Sequence, residues 1–105
     1  MPTLAPLFKA LSDPSRLGIF ERLTRGEMAV MELTAQFELS QPAVSQHLAV
    51  LRQAGLVTVR RDGRMVYYGV RPDAFRPLVD WLSHYQAFWP RRVDRLKALL
   101  ERMEP

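Results

Sequence analysis

The 105-residue chain contains no cysteine, and this absence excludes several kinds of chemistry at once. Without thiols there is no disulfide, no thiolate metal site, no redox switch and no cysteine nucleophile. No apolar run approaches the roughly 18 residues that a membrane-spanning helix needs. The chain opens with MPTLAPLFKALSDP, in which proline and aspartate stand where a secretory signal would be continuously apolar. We therefore expect a cytoplasmic protein with no membrane partner.

The sequence is equally poor in the residue combinations that support catalysis. Its two histidines, His47 and His84, lie in separate predicted elements, and no serine–histidine–aspartate set is recognisable. A phosphate-binding glycine loop and the HExxH pattern of zinc enzymes are also absent. These absences predict that the protein is not an enzyme and that it uses no cofactor.

The composition is typical of one small globular domain over residues 1–105. Hydrophobic residues make up 48% of the chain and charged residues 25%, which is the balance of a folded protein. Fifteen lysines and arginines against 11 acidic residues give a net charge of +4. This excess favours a polyanionic partner such as nucleic acid.

The first half of the chain has the spacing of four short helices. Apolar residues recur at intervals of three and four from Leu4 to Leu11, which predicts the first helix. Asp13 is in position to cap the second helix, because Pro14 follows it. A third helix is predicted from Ala29 to Phe37, and a fourth begins after Ser40 and ends at Gly55.

The second half of the chain has the pattern of a β-hairpin followed by a helix. Two runs rich in β-branched and aromatic residues within residues 56–70 flank Asp62-Gly63, which predicts a hairpin with a type I′ turn. Apolar residues then recur every three or four positions, without losing phase at Pro90. This pattern predicts a C-terminal helix over about residues 73–103, which is either kinked at Pro90 or continued as two collinear helices.

The predicted order is α-α-α-α-β-β-α, a mainly α fold with a small β-hairpin. A helix-turn-helix at about residues 29–54 followed by a hairpin at about 56–70 forms the plan of a winged helix-turn-helix. Short polar side chains on the fourth helix suit the major groove, and wing arginines suit phosphates or the minor groove. We predict that double-stranded DNA is the partner and that it is contacted by Ser40, Gln41, Ala43, Ser45, Gln46, His47, Arg52, Arg60, Arg61 and Arg64.

Each of these features has a plainer interpretation when it is taken alone. The fourth helix could be an ordinary amphipathic helix, and the wing arginines could belong to a solvated turn. A winged helix can also be a protein-interaction or regulatory module that does not bind DNA specifically. Such a module should show large apolar groups where this helix shows glutamine, serine and histidine. It is therefore the alternative function, and DNA binding is the prediction.

In detail, these segments resemble the ArsR family of bacterial repressors. Residues 8–17 are similar to the opening segment of that family, residues 41–57 to its recognition helix and exit, and residues 61–68 to its wing. The resemblance implies a homodimer whose first and last helices pair across a two-fold axis. It also implies sequence-specific repression of transcription at a palindromic operator.

The chain departs from the family's metal sensors. Classical metal sensors carry a Cys-x-Cys pair on the third helix, where this chain has Ala29 and Met31. Another class uses Asp, His and Glu along the last helix, and only Asp80 and His84 are available there. The tail, with Phe88-Trp89 before an arginine-rich segment, looks like the cysteine-free, autorepressor-like branch. We therefore expect no metal site.

Surplus apolar residues at both ends of the chain predict a homodimer independently of the resemblance. The predicted contacts are Leu4, Leu7, Trp81, Tyr85, Phe88 and Trp89. The plainer alternative is that the last helix folds back onto its own domain. The aromatic residues of this set could also line a pocket for a small-molecule effector at the interface, although no residue identifies the effector.

Overall fold

The computed structural model describes residues 4–84 and 90–103. The helices are α1 (Leu4–Leu11), α2 (Pro14–Leu23), α3 (Val30–Phe37), α4 (Gln41–Gln53), α5 (Arg76–Ser83) and α6 (Pro90–Met103). The strands are β1 (Met28–Ala29), β2 (Val57–Asp62) and β3 (Met65–Val70), and they form one antiparallel sheet in the order β1-β3-β2. The predicted fold class, mainly α with a small β-hairpin, is confirmed. No helix in this part of the chain is long and apolar enough to cross a membrane.

Local hydrogen bonds explain where α2 and α4 begin. The carboxylate of Asp13 accepts a hydrogen bond from the backbone N–H of Arg16 at 2.9 Å, and this contact lowers the pKa of Asp13. The hydroxyl of Ser40 accepts one from the N–H of Ala43 at 3.2 Å. Each cap satisfies one N–H group that the first turn of a helix cannot pair internally. Both predicted N-caps are therefore confirmed.

The end of α4 is equally well defined. Gly55 has a φ of +79°, and its N–H donates to the carbonyl of Arg52 at 3.0 Å. The N–H of Leu56 donates to the carbonyl of Leu51, also at 3.0 Å. These two bonds form a Schellman motif, which turns the chain directly from α4 into β2.

The core is built on the predicted apolar stripe of α4. Val44, Leu48 and Leu51 are fully buried and pack into one cluster with residues of α1, α2, α3 and β2. Leu7 belongs to this cluster with only 1% of its surface exposed, and Leu4 is buried as well. The expectation that these two leucines leave apolar surface exposed on the protomer is therefore wrong, because their face of α1 turns inward.

The wing differs from its prediction in its turn and in its strand count. Asp62 pairs with Met65, so Gly63 and Arg64 form the two-residue turn. Of these two, only Gly63 has a positive φ, at +61°. A type I′ turn needs a positive φ at both central residues, so the type I′ prediction is wrong, and a glycine in the first position is typical of type II′. The sheet also contains a strand outside the hairpin, β1, which pairs with β3 and was not predicted.

The C-terminal helices also differ from their prediction. Arg76 at the start of α5 and Met103 at the end of α6 line the same cleft, so the two helices run side by side. The expectation of one kinked helix or two collinear helices over about residues 73–103 is therefore wrong. Proline is well suited to the first position of a helix, where its missing N–H needs no partner, and Pro90 begins α6. Leu100 of α6 and Val79 of α5 share the lining of this cleft.

The turn between α3 and α4 contains a residue in a left-handed conformation, which can be tested by substitution. Glu38 ends α3 with a φ of +53°, a left-handed conformation that suits glycine better than a residue with a β-carbon. Glu38→Gly should therefore raise the free energy of unfolding by about 0.5–1 kcal/mol, measured by urea denaturation. The control is Ala35→Gly on the exposed face of α3, which should lower it by about 1 kcal/mol. Destabilisation by both substitutions would contradict the left-handed conformation of residue 38.

Candidate nucleic-acid interface

The predicted contact residues of α4 lie on the side of the helix away from the core. Ser45 and Gln46 are exposed, while Ala43 and His47 are half-buried at the edges of the exposed face. The other exposed residues of the predicted set on this helix are Ser40 and Gln41 at its start and Arg52 in its last turn. The helix therefore presents small and polar side chains in the arrangement that a major-groove helix requires.

The structure divides the three wing arginines into two groups. Arg60 is held by a neighbouring carboxylate, because its Nε atom lies 3.2 and 3.3 Å from the two carboxylate oxygens of Glu27. Its Nη1 atom lies 3.7 Å from the carboxylate of Asp62, and its guanidinium lies 4.6 Å from the centre of the Tyr67 ring. Arg60 faces Tyr67 across the β2–β3 pair, which explains why these groups meet. Its charge is already matched before any DNA is bound.

The electrostatics of this group follow from the same contacts. The hydrogen bond from Arg60 lowers the pKa of Glu27 below its ordinary value, and the bond to Glu27 raises the pKa of Arg60. Both side chains therefore stay charged at neutral pH, and the pair persists there. Because both side chains are about half exposed, the pair contributes little to the stability of the fold.

Arg61 and Arg64 are the free cations of the wing. Both are exposed, and neither forms an ion pair with any residue in the described ranges. Arg64 stands in the turn beside Gly63, and Arg61 is on the face of β2 opposite Arg60 because side chains alternate along a strand. These two arginines are better placed than Arg60 to bind phosphate.

One contact of the site was missed by the sequence analysis. The Nη1 atom of Arg16, in the first turn of α2, lies 3.4 Å from Nδ1 of His47 on α4. The Nε atom of Arg16 also donates to the carbonyl of Ala10 at 2.6 Å. Arg16 thus connects the end of α1 to the edge of the exposed face of α4. No local pattern indicates this contact, since the two residues are 31 positions apart.

The predicted dimer contacts are only partly described. Leu4 and Leu7 are buried within the protomer, and Trp81 is half-buried on α5. Tyr85, Phe88 and Trp89 lie outside the described residues. Among the side chains that the structure describes on α1 and α6, the exposed large apolar ones are Phe8, Leu96, Leu99 and Met103.

A cleft of about 230 Å³ lies between α5, α6 and the end of β3. Its lining includes the apolar residues Val70, Phe75, Val79 and Leu100 and the charged residues Arg71, Arg76, Asp80, Lys97 and Glu101. Of the aromatic residues that were predicted to surround an effector, the structure describes Trp81, and Trp81 does not line this cleft. Within residues 4–84 and 90–103, no three histidine or acidic side chains come together as metal ligands.

Comparison with known proteins gives a consistent result. A family model described as "Bacterial regulatory protein, arsR family" matches residues 13–59. The transcriptional repressor SdpR of Bacillus subtilis (strain 168) is 32% identical over 79 residues, which cover 75% of this chain and 88% of the relative. The biofilm growth-associated repressor of Agrobacterium fabrum is 39% identical, covering 75% of this chain and 68% of the relative.

The solved structures agree with these matches. An ArsR-like transcriptional regulator from Rhodococcus sp. RHA1 superposes with a TM-score of 0.75 at 30% identity, covering 93% of this chain and 92% of that one. HlyU from Vibrio cholerae superposes with a TM-score of 0.67 at 35% identity, covering 82% and 94% of the two chains. The similarity in structure thus reaches beyond the segment matched by the family model.

Proposed function

Because the chain belongs to the ArsR family of bacterial regulatory proteins, we propose that it represses transcription as a homodimer bound to a palindromic operator. Membership identifies a DNA-binding transcription regulator and confirms the prediction that the protein is not an enzyme. The observation that carries the proposal further is the exposed polar face of α4, followed directly by a wing with two free arginines. The protein would act in the cytoplasm, where bacterial DNA lies.

Each part of this surface has its own role in the proposed complex. The N-terminus of α4, with Ser40 and Gln41, binds a phosphate, because the positive end of the helix dipole attracts anions. Ser45 and Gln46 contact base edges in the major groove. Arg61 and Arg64 bind the phosphates beside it or enter the minor groove. A two-fold dimer places two such helices about 34 Å apart, the spacing of successive major grooves.

The dimer is proposed to form through the first and last helices of a single domain, residues 1–105. The exposed apolar side chains of α1 and α6, Phe8 and Leu99 among them, support this arrangement. Phe8 is 47% exposed, so α1 offers a large apolar group that a partner protomer could bury. Trp81 and the predicted contacts at positions 85, 88 and 89 remain part of the proposal.

Repression is proposed to be independent of metal. The chain has no cysteine, and Ala29 and Met31 occupy the positions where classical sensors of the family carry their cysteine ligands. An effector of unidentified chemistry would instead bind at the dimer interface or in the cleft beside α5. Lys97 and Leu100 of that cleft are candidate contacts.

The proposal is tested by fluorescence anisotropy with the chain's own promoter and a scrambled duplex, over a range of salt concentrations. The protein should prefer the promoter, saturate at one dimer per site and lose affinity steeply as salt rises. Arg64→Ala should weaken binding to both duplexes and reduce the slope of log affinity against log salt by about 2, because each dimer carries two copies of Arg64.

Arg60→Ala is the matched control, since Arg60 already pairs with Glu27. It should change the salt slope less than Arg64→Ala does. Equal, salt-insensitive binding to both duplexes would instead favour a protein-interaction module. Equal changes of slope for both variants would contradict the division of the wing arginines.

A further inference from the structure

We infer that Arg16 fixes the tautomer of His47, so that His47 presents an N–H donor to an acceptor atom of DNA. This inference rests on the proposed function, because it requires that α4 faces DNA. It makes Arg16, which lies outside the predicted interface, a positioning residue for recognition. It also gives His47 a defined preference, for acceptor atoms and against donor groups.

Arg16 is itself held in place by the end of α1. Its Nε atom donates to the carbonyl of Ala10 at 2.6 Å, and its Nη2 atom lies 3.5 Å from the carbonyl of Lys9. Its own backbone N–H donates to Asp13 at 2.9 Å. With both the backbone and the guanidinium anchored, Nη1 is held 3.4 Å from Nδ1 of His47.

The chemistry of the two groups decides which nitrogen carries the proton. A guanidinium has five N–H donors, no acceptor, and stays protonated in proteins. The contact is therefore attractive only if Nδ1 of His47 offers its lone pair. A neutral imidazole has a single N–H, so the proton must be on Nε2. His47 then has one donor left for another partner, and Arg16 has fixed which ring atom it is.

The position of His47 on α4 places this donor at the edge of the proposed DNA surface. His47 is half-buried between the fully buried Leu48 and the exposed Gln46. A single N–H donor can bind purine N7 or a phosphate oxygen, and it cannot bind the amino groups of adenine or cytosine. A neutral imidazole with the opposite tautomer would reverse this preference.

The tautomer is measured first, without DNA. In a long-range proton–nitrogen NMR spectrum of the full chain at pH 8, His47 should show protonated Nε2 and unprotonated Nδ1. Arg16→Lys keeps a donor and should keep this pattern. Arg16→Gln can donate or accept, and it should shift His47 toward a mixture of tautomers. His84, which is exposed just after the end of α5, is the internal control and should not change. A proton on Nδ1 in the wild type would overturn the inference.

The DNA contact is measured with His47→Gln, which places an amide N–H near the position of Nε2, and with His47→Leu, which cannot donate. On the promoter duplex, His47→Gln should bind within about threefold of the wild type, and His47→Leu roughly tenfold more weakly. Replacing purines by 7-deazapurines removes N7 acceptors, and methylphosphonate linkages remove phosphate charges. The acceptor is identified by the DNA replacement that lowers the affinity of the His47→Leu variant less than it lowers the affinity of the wild type.

The outcomes distinguish this inference from the proposed function. If the wild type prefers the promoter but His47→Leu binds like the wild type, the function stands and the inference fails. The inference also fails if neither DNA replacement distinguishes the two proteins. If the wild type shows no preference for the promoter, the proposed function fails, and the DNA contact of His47 fails with it, whatever tautomer the spectrum shows.

Discussion

Replacing Gln46 with alanine is expected to weaken binding to the promoter duplex by about 1–3 kcal/mol per half-site, a loss of roughly 5- to 150-fold for each of the two copies in the dimer. The side chain of Gln46 is exposed on α4, on the side opposite the buried stripe of Val44, Leu48 and Leu51. The amide of Gln46 can form two hydrogen bonds to one adenine, at N6 and at N7. Neither a water molecule nor the methyl group of alanine reproduces this pair of bonds. Binding to a scrambled duplex should remain nearly unchanged, because non-specific affinity comes from phosphates.

The same substitution elsewhere on the helix provides the control. Gln53 is also exposed but lies in the last turn of α4, two turns beyond Gln46, and the N-terminal residues of a recognition helix make most base contacts. Gln53→Ala should therefore change promoter affinity by less than about threefold. Anisotropy competition against scrambled DNA measures both variants. If Gln46→Ala weakened binding to the two duplexes equally, its assignment to base recognition would be wrong.

The parts of the fold that could be predicted are those with a local cause. The caps at Asp13 and Ser40 depend on an N–H three residues away, so the sequence is sufficient to locate them. The buried stripe of α4 follows from helical spacing in the same way. The strand β1 has only two residues and exists because Met28 pairs with Tyr68, 40 positions later, so no periodicity could indicate it.

The errors at the C-terminus have a different physical origin. The apolar period continues unchanged across Pro90, and a period alone cannot distinguish a continuous helix from two helices that pack side by side. In both cases the same residues form the apolar face. The direction of α6 depends on its packing with α5, which is a tertiary interaction. The inward orientation of Leu4 and Leu7 likewise depends on the helices against which α1 packs.

In the candidate site, too, features with a local cause could be predicted and features that depend on tertiary contacts could not. Residue types and helical spacing were enough to propose the polar face of α4 and the arginines of the wing. They could not separate Arg60 from Arg61 and Arg64, because the partner of Arg60 is Glu27, 33 positions away. The Arg16–His47 contact was missed for the same reason. On α4 and the wing, local pattern thus predicts which side chains face outward, and tertiary contacts decide which of them are free to bind DNA.

The anchoring of α4 leads to the largest expected effect on stability. Leu48→Ala should lower the free energy of unfolding by about 2–5 kcal/mol, because Leu48 is 0% exposed and the cavity left behind collapses only in part. Small domains have only about 5–15 kcal/mol in total, so this is a large fraction of the stability. Leu17→Ala on α2 is the control, since Leu17 is 38% exposed and its loss should cost less than about 1 kcal/mol.

Urea denaturation followed by circular dichroism measures both leucine variants, at one protein concentration because the stability of a dimer depends on it. A Leu48→Ala variant no less stable than Leu17→Ala would mean that α4 does not rest on this core. If the expected difference is found, the DNA affinity of the folded fraction of Leu48→Ala separates two roles of the core. A normal affinity means that the remaining contacts and the N-cap at Ser40 are enough to orient α4. A reduced affinity means that Leu48 also positions Gln46 and His47 for recognition.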